Sequence, residues 1–150
     1  MSSFRYVRYA VISRAPEDDA IKHMNDWANA NGIQQPELIG WDFPFVSQEQ
    51  INVHHMHGYA AACILPDVFS VTCPEMEPVA QAEQPYAVIT IKEPFQSPFS
   101  LIPNAYKTLL RYMDVNGYKH KLTKEVLPCF EKVFSKNGVT FMDVFIAVES

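Results

Sequence analysis

The chain has 150 residues, with 17 acidic side chains against 12 basic and a formal charge of −5, a length that points to one domain with a sizeable core. That acidic balance, with no basic cluster beyond Lys119-His120-Lys121, argues against autonomous DNA or RNA binding, and 48% hydrophobic with 13% aromatic residues argues against disorder. No apolar run approaches the ~20 residues that span a bilayer, Met1 to Arg5 begins no signal peptide, and Cys63, Cys73 and Cys129 lack C-x-x-C spacing, so a cytoplasmic chain with reduced thiols is expected.

In chain order, Phe4 to Ile12 alternates as a strand with one buried face. Pro16 and the acids Glu17, Asp18 and Asp19 suit a first helical turn, and Ala20, Met24, Trp27, Ala28 and Ala30 continue an apolar stripe to an Asn31-Gly32 stop. Leu38 to Phe43 reads as a short strand before Pro44. Ser47 to Asn52 reads as a polar loop, and Tyr59 to Leu65 as a strand covered on both faces. Residues 66 to 85, with Pro66, Pro74, Pro78 and Pro85 and the acids Glu75, Glu77 and Glu83, read as a linker without a regular element.

After the linker the order recurs. Tyr86 to Ile91 is a strand, and Leu101, Ala105, Leu109, Tyr112 and Met113 mark a helix that ends at Asn116-Gly117. Its regular part is expected to begin at Pro103, because proline is tolerated in the first turn. Leu127 to Phe134 and Thr140 to Val148 are strands joined through Asn137-Gly138, a strong hairpin signal. The expected fold is therefore α+β, a duplicated βαββ with half-repeats at about 4–66 and 86–149 and a linker at 67–85. Trp27 to Ile33 lines up with Tyr112 to Tyr118, and Gly40-Trp41-Asp42 with Cys129-Phe130-Glu131, so each copy sets one carboxylate directly after an aromatic residue.

A carboxylate inside an apolar strand costs several kcal/mol to bury unless it is paired or hydrogen-bonded. Glu131 is either an acid that meets a cationic ligand or acts as a base in an aromatic-lined pocket, or a surface residue paired with Lys107 or Arg111. Asp42, before Phe43-Pro44, has the same two readings, with a turn cap as the plainer one. Trp41, Tyr59, Tyr86, Phe95, Phe99, Tyr106, Phe130 and Phe141 are the aromatic candidates for a ligand box or for ordinary core. In His54-His55-Met56-His57 a strand would set His55 and His57 on one face, two imidazoles that do not complete a tetrahedral metal site. There is no G-x-S-x-G elbow or phosphate loop, and Cys129 has no local histidine to activate it. No metal and no cofactor is expected.

The run Leu127-Pro128-Cys129-Phe130-Glu131-Lys132-Val133-Phe134, followed by Phe141 to Val148, resembles the end of the GyrI-like (gyrase-inhibitory protein-like) small-molecule-binding domains. These domains also form the effector-binding part of some AraC-type and MerR-type transcription regulators. Trp41-Asp42-Phe43-Pro44 is similar to the family's Asp-x-Pro after its second strand, and Phe99 to Leu110 to its second helix, so the resemblance covers residues 4 to 149. It implies two SH2-like halves about a pseudo-two-fold axis, with a groove between them for hydrophobic and often cationic compounds. Glu131 takes the place of the ligand-meeting glutamate, with Trp41, Asp42, Tyr106, Phe99, Phe130 and Phe141 as its expected companions. Val133 stands where the family has an aromatic residue, and acids usual near Ala60 and Phe141 are missing, which implies a more apolar pocket with one dominant acid.

The implied role is a binding module that senses or sequesters a hydrophobic or cationic small molecule. Two other roles follow from the same resemblance: a hydrolase of electrophilic toxins, with Glu131 as general base and Tyr106 or Trp41 as donor, and an inhibitor or protector of DNA gyrase. Because 150 residues leave no room for a separate DNA-binding module, the chain reads either as a stand-alone member or as the effector domain of a larger regulator. The starting methionine favours the first, and neither reading has the chain itself touching nucleic acid or a membrane.

Overall fold

The structure is a computed structural model that describes residues 1–69 and 76–150; Cys73, Pro74 and Glu75, assigned above to the linker, lie outside the described residues. The protein is α+β with antiparallel ladders. Its chain divides into two compact units, Phe4–Ala80, and Gln81–Ser150 together with Met1–Ser3. Among the described residues no helix is long and apolar enough to cross a membrane.

The Phe4–Ala80 unit contains β1 (Phe4–Ser13), α1 (Pro16–Ala30), β2 (Glu37–Asp42), α2 (Gln48–Asn52), β3 (His57–Ile64) and the start of β4 (Val79–Gln81), with sheet order β4-β1-β3-β2. The central β3 pairs with β1 from Tyr6↔Ile64 to Ser13↔His57, and with β2 from Glu37↔Ile64 to Asp42↔Tyr59. Its residues Tyr59 to Cys63 are all buried, as a continuous apolar run predicts. Ala20, Met24 and Ala28 of α1 pack with Val7, Tyr59, Ala61 and Cys63. The Tyr59 ring lies where a side chain on Gly40 would start, so only glycine fits beneath it.

Two expectations fail here. Ser47 to Asn52 is the cap and body of α2 rather than a loop: Ser47 accepts from the Gln50 backbone N–H at 3.1 Å while the Gln50 side chain accepts from the Ser47 N–H at 2.9 Å. This reciprocal capping box closes the helix, and polar composition alone concealed it. The stretch 66–85, expected to lack a regular element, contains β4, and Gln81 at the end of that strand is only 3% exposed.

The second unit contains β5 (Tyr86–Lys92), a 3-10 turn at Pro94–Gln96, α3 (Pro98–Val115), β6 (Cys129–Lys136) and β7 (Val139–Ala147), with strand order β6-β7-β5. The hairpin expectation holds: Lys136 pairs with Val139, and Asn137 and Gly138 both take positive φ, at 54° and 78°, as a two-residue turn of this type requires. The helix begins at Pro98, not Pro103. Pro98 takes the tolerated first position, and Pro103 removes only a bond to the carbonyl of Phe99, in an exposed first turn. Ala105, Leu109 and Met113 pack on Ile91, Met142, Val144 and Ile146.

The two long helices end in the same way. The Asn31 side chain donates to the Trp27 carbonyl at 2.8 Å and the Ile33 N–H to Ala28 at 2.9 Å; the Asn116 side chain donates to Tyr112 at 2.8 Å and the Tyr118 N–H to Met113 at 2.8 Å. Gly32 and Gly117 take φ of 78° and 76° to make the turn.

Candidate functional site

Register decides which way Glu131 points. Facing residues of an antiparallel pair share a face and successive residues alternate. Cys129, Glu131 and Val133 face Ile146, Val144 and Met142, which form the core under α3, so Glu131 is on the helix side of the sheet. The helix packs mainly over β5 and β7, and Tyr106 stands on its flank toward β6. There the Tyr106 hydroxyl donates to Oε1 of Glu131 at 2.8 Å, with both residues half-buried. A hydrogen bond to an ionised carboxylate is among the stronger side-chain bonds, and it fixes this oxygen against the helix.

The surroundings of this pair are apolar and open. Val133, two residues along the same face of β6, is 46% exposed, and Leu110, one turn beyond Tyr106 on the same flank, is 44% exposed. Phe99, seven residues before Tyr106 and so on that flank too, is 96% exposed. Sequence reasoning did not single out Leu110 for the site; its spacing of four from Tyr106 was the available signal.

Phe130 and Phe141 stand on the other face. Phe130 is fully buried and stacks on Phe145 at 4.5 Å, with Tyr86 edge-on at 5.2 Å, while Phe141 stacks on Phe134 at 5.5 Å. Within this unit they form a separate aromatic layer that does not share the Glu131 face. Tyr86 is further committed: its hydroxyl accepts from Gln81 at 2.8 Å and donates to the Leu127 carbonyl at 2.8 Å, while the Leu127 N–H donates to Gln81 at 2.9 Å. Gln84, 2% exposed, donates to the carbonyl of Val148 at 2.7 Å. These buried amides are satisfied and structural.

In the other unit, Asp42 faces Tyr59 and lies on the α1 side, whereas Trp41 faces Ala60 on the opposite side and meets Tyr6 edge-on at 6.2 Å. Asp42 has a carboxylate for a neighbour: burial, then the charges of Asp42 and Asp18, push the Glu17 carboxyl above its usual range. Cys63 is an inert thiol, pushed up to about 11 by burial and then by the charge of Glu37. His57 begins β3, while His55 takes a positive φ in the turn before it, so the expected two-histidine strand face does not form. No group of three or more His, Cys, Asp or Glu is placed to hold a metal among the described residues.

No protein-family model matches the chain, and no curated protein does. Solved structures do. The whole chain aligns with 91% of SAV2435, in a structure with tetraphenylphosphonium bound, at 10% identity and a TM-score of 0.51. It also aligns over its whole length with 95% of a Staphylococcus aureus MU50 protein described as a candidate bacterial transcription regulation protein, at 10% identity and a TM-score of 0.48. At this identity the likeness to the first is one of fold.

Proposed function

We propose that the chain is a GyrI-like binding module for hydrophobic, cationic small molecules, with Glu131 as the charge partner. The observation that carries this reading is the Glu131–Tyr106 pair: a half-buried carboxylate held by a 2.8 Å hydrogen bond, with exposed Val133 next on its strand face and exposed Leu110 and Phe99 on the Tyr106 flank of α3. A carboxylate at an apolar surface attracts a cation whose own hydration is weak, because both exchange little water for the contact. These exposed side chains add dispersion and, through Phe99, a ring face for the cation. Two further observations support the reading. SAV2435, similar in fold, holds tetraphenylphosphonium in its structure, and the matching Asn-Gly helix ends support a duplicated βαββ of the GyrI-like kind.

Tyr106 favours binding over hydrolysis. Its hydroxyl donates to the carboxylate and so stabilises the charged form, which suits a charge partner better than a proton acceptor. The test is a thermal-shift titration with tetraphenylphosphonium, repeated with Glu131→Gln and followed by mass spectrometry of the recovered compound. Expected are a dose-dependent rise in Tm for the wild type, a loss of about tenfold or more in affinity for Glu131→Gln, and intact compound. Equal stabilisation of both proteins would remove Glu131 from the site, and chemically altered compound would make the chain an enzyme.

A further inference from the structure

The edge of the second unit's sheet is unprotected. Among the described residues β5 ends the strand order, and β7 holds it on one side from Tyr86↔Ala147 to Lys92↔Phe141 without a skipped residue. Native edge strands are commonly shortened, bulged, or interrupted by proline or lysine, because an open ladder invites another strand. β4 is such a short strand, at three residues. β5 uses none of these devices: it runs Tyr86-Ala87-Val88-Ile89-Thr90-Ile91-Lys92, with its single charge at the last position.

Beside this edge lies a crevice of about 190 Å³ lined by Val88, Ile89, Thr108, Leu109 and Tyr112. The neighbouring flank of α3 is apolar and open: Tyr112 is 54% exposed and Val115 76%, and Val88 on the strand is 45% exposed. From Pro98 to Tyr112 the helix has no carboxylate. This crevice is on the β5 side of α3, whereas Tyr106 is on the β6 side, so it is separate from the Glu131 site.

We propose that this edge receives a second copy of the chain, whose own β5 adds antiparallel about a two-fold axis through Ile89. The strand's charge pattern selects the register. With Ile89 opposite its counterpart, Ala87 meets Ile91 and Val88 meets Thr90, and Lys92 of each copy comes opposite the Tyr86 ring of the other, a cation–π pair made twice. Centring on Val88 instead carries Lys92 past the start of the facing strand at Tyr86 and loses both cation–π pairs. Centring on Thr90 sets the Lys92 ammonium against Val88. The chosen register also puts the second copy's Ile89 on the α3 side of the sheet, where the crevice accepts it. A two-fold axis perpendicular to the sheet leaves both α3 helices on one face, so that the exposed flanks with Thr108, Tyr112 and Val115 cover one another.

Light scattering on the intact chain at ~100 µM tests this, since association follows mass action. The expected mass is twice the 17.1 kDa of one chain. Val88→Lys and Tyr112→Lys each change an exposed side chain and are expected to return the mass to 17.1 kDa, with thermal melting as the control for folding. Register is read from Ile89→Cys under mild oxidation: facing residues have Cα atoms ~4.5–5.5 Å apart, within disulfide reach, so a bond joining position 89 to itself is expected. Val68→Cys, 95% exposed and in the other unit, is expected to give none. A single-chain mass for the wild type would overturn the proposal. So would a dimer indifferent to both lysines, or oxidation that links Val68→Cys as readily as Ile89→Cys.

Discussion

At the scale of single residues, the two strand carboxylates that the sequence placed in parallel have opposite surroundings. Glu131 receives a hydroxyl from Tyr106 at 2.8 Å, whereas Asp42 stands near Glu17, whose carboxyl is pushed upward by burial and then by the charges of Asp42 and Asp18. A donor stabilises a carboxylate, and a second carboxylate works against it. The sign for Glu17 follows from linkage. Its proton is held more tightly in the folded than in the unfolded chain, so its contribution to stability is full below the unfolded value and declines as pH rises through the folded one. Asp42→Asn removes one of the charges responsible. The variant is expected to be more stable than wild type at pH 7, with the difference shrinking at pH 3, where the Glu17 carboxyl, whose value is raised by folding, is protonated in either state. Urea titrations at the two pH values read this directly. A variant less stable than wild type at pH 7 would show that Asp42 holds the end of β2 through another contact.

At the scale of elements, α3 contains the clearest local conflict, a proline at its sixth residue. Pro103 gives up the hydrogen bond to the Phe99 carbonyl and crowds that carbonyl. Pro103→Ala restores the bond at the cost of a freer unfolded chain, and the balance of the two effects is a gain of about 2 kcal/mol. That corresponds to a rise in Tm of roughly 4–8 °C for a chain of this size, measurable by calorimetry. An unchanged Tm would mean that the first turn of α3 is already frayed. The same helix shows what the sequence could disclose. Its stripe of Ala105, Leu109 and Met113 and its Asn116-Gly117 end were legible, because periodicity and positive-φ stops are local properties. Its start was not, because two prolines at Pro98 and Pro103 both satisfy the rule for a first turn. In the same way Glu131 and Tyr106 could be named as candidates, but their bond joins residues 25 apart, and only the register of β6 on β7 turns Glu131 toward α3. Phe130 and Phe141 went to the opposite face by the same pleat, which aromatic composition cannot foretell.

At the scale of the whole molecule, the charge of −5 bears on any cationic ligand in two separable ways. The summed field of the acidic chain attracts a cation from a distance and is screened over ~10 Å at 0.1 M salt, whereas contact with a half-buried carboxylate is screened much less. If Glu131 is the charge partner, most of the preference for a cation survives high salt. Raising salt from roughly 0.05 to 0.5 M is expected to weaken tetraphenylphosphonium binding by only a few-fold. Neutral triphenylphosphine oxide, which has similar rings, should bind with little dependence on salt, or slightly better as apolar burial is favoured. Glu131→Gln should then lose its residual preference for the cation at both salt concentrations, leaving the two compounds within a few-fold of each other. Calorimetric titrations of both compounds at the two salt concentrations separate these contributions. A cation preference that disappears in salt while Glu131→Gln behaves as wild type would assign the attraction to the diffuse field of the chain, and the Glu131–Tyr106 pair would then be a fixture of the β6–α3 packing.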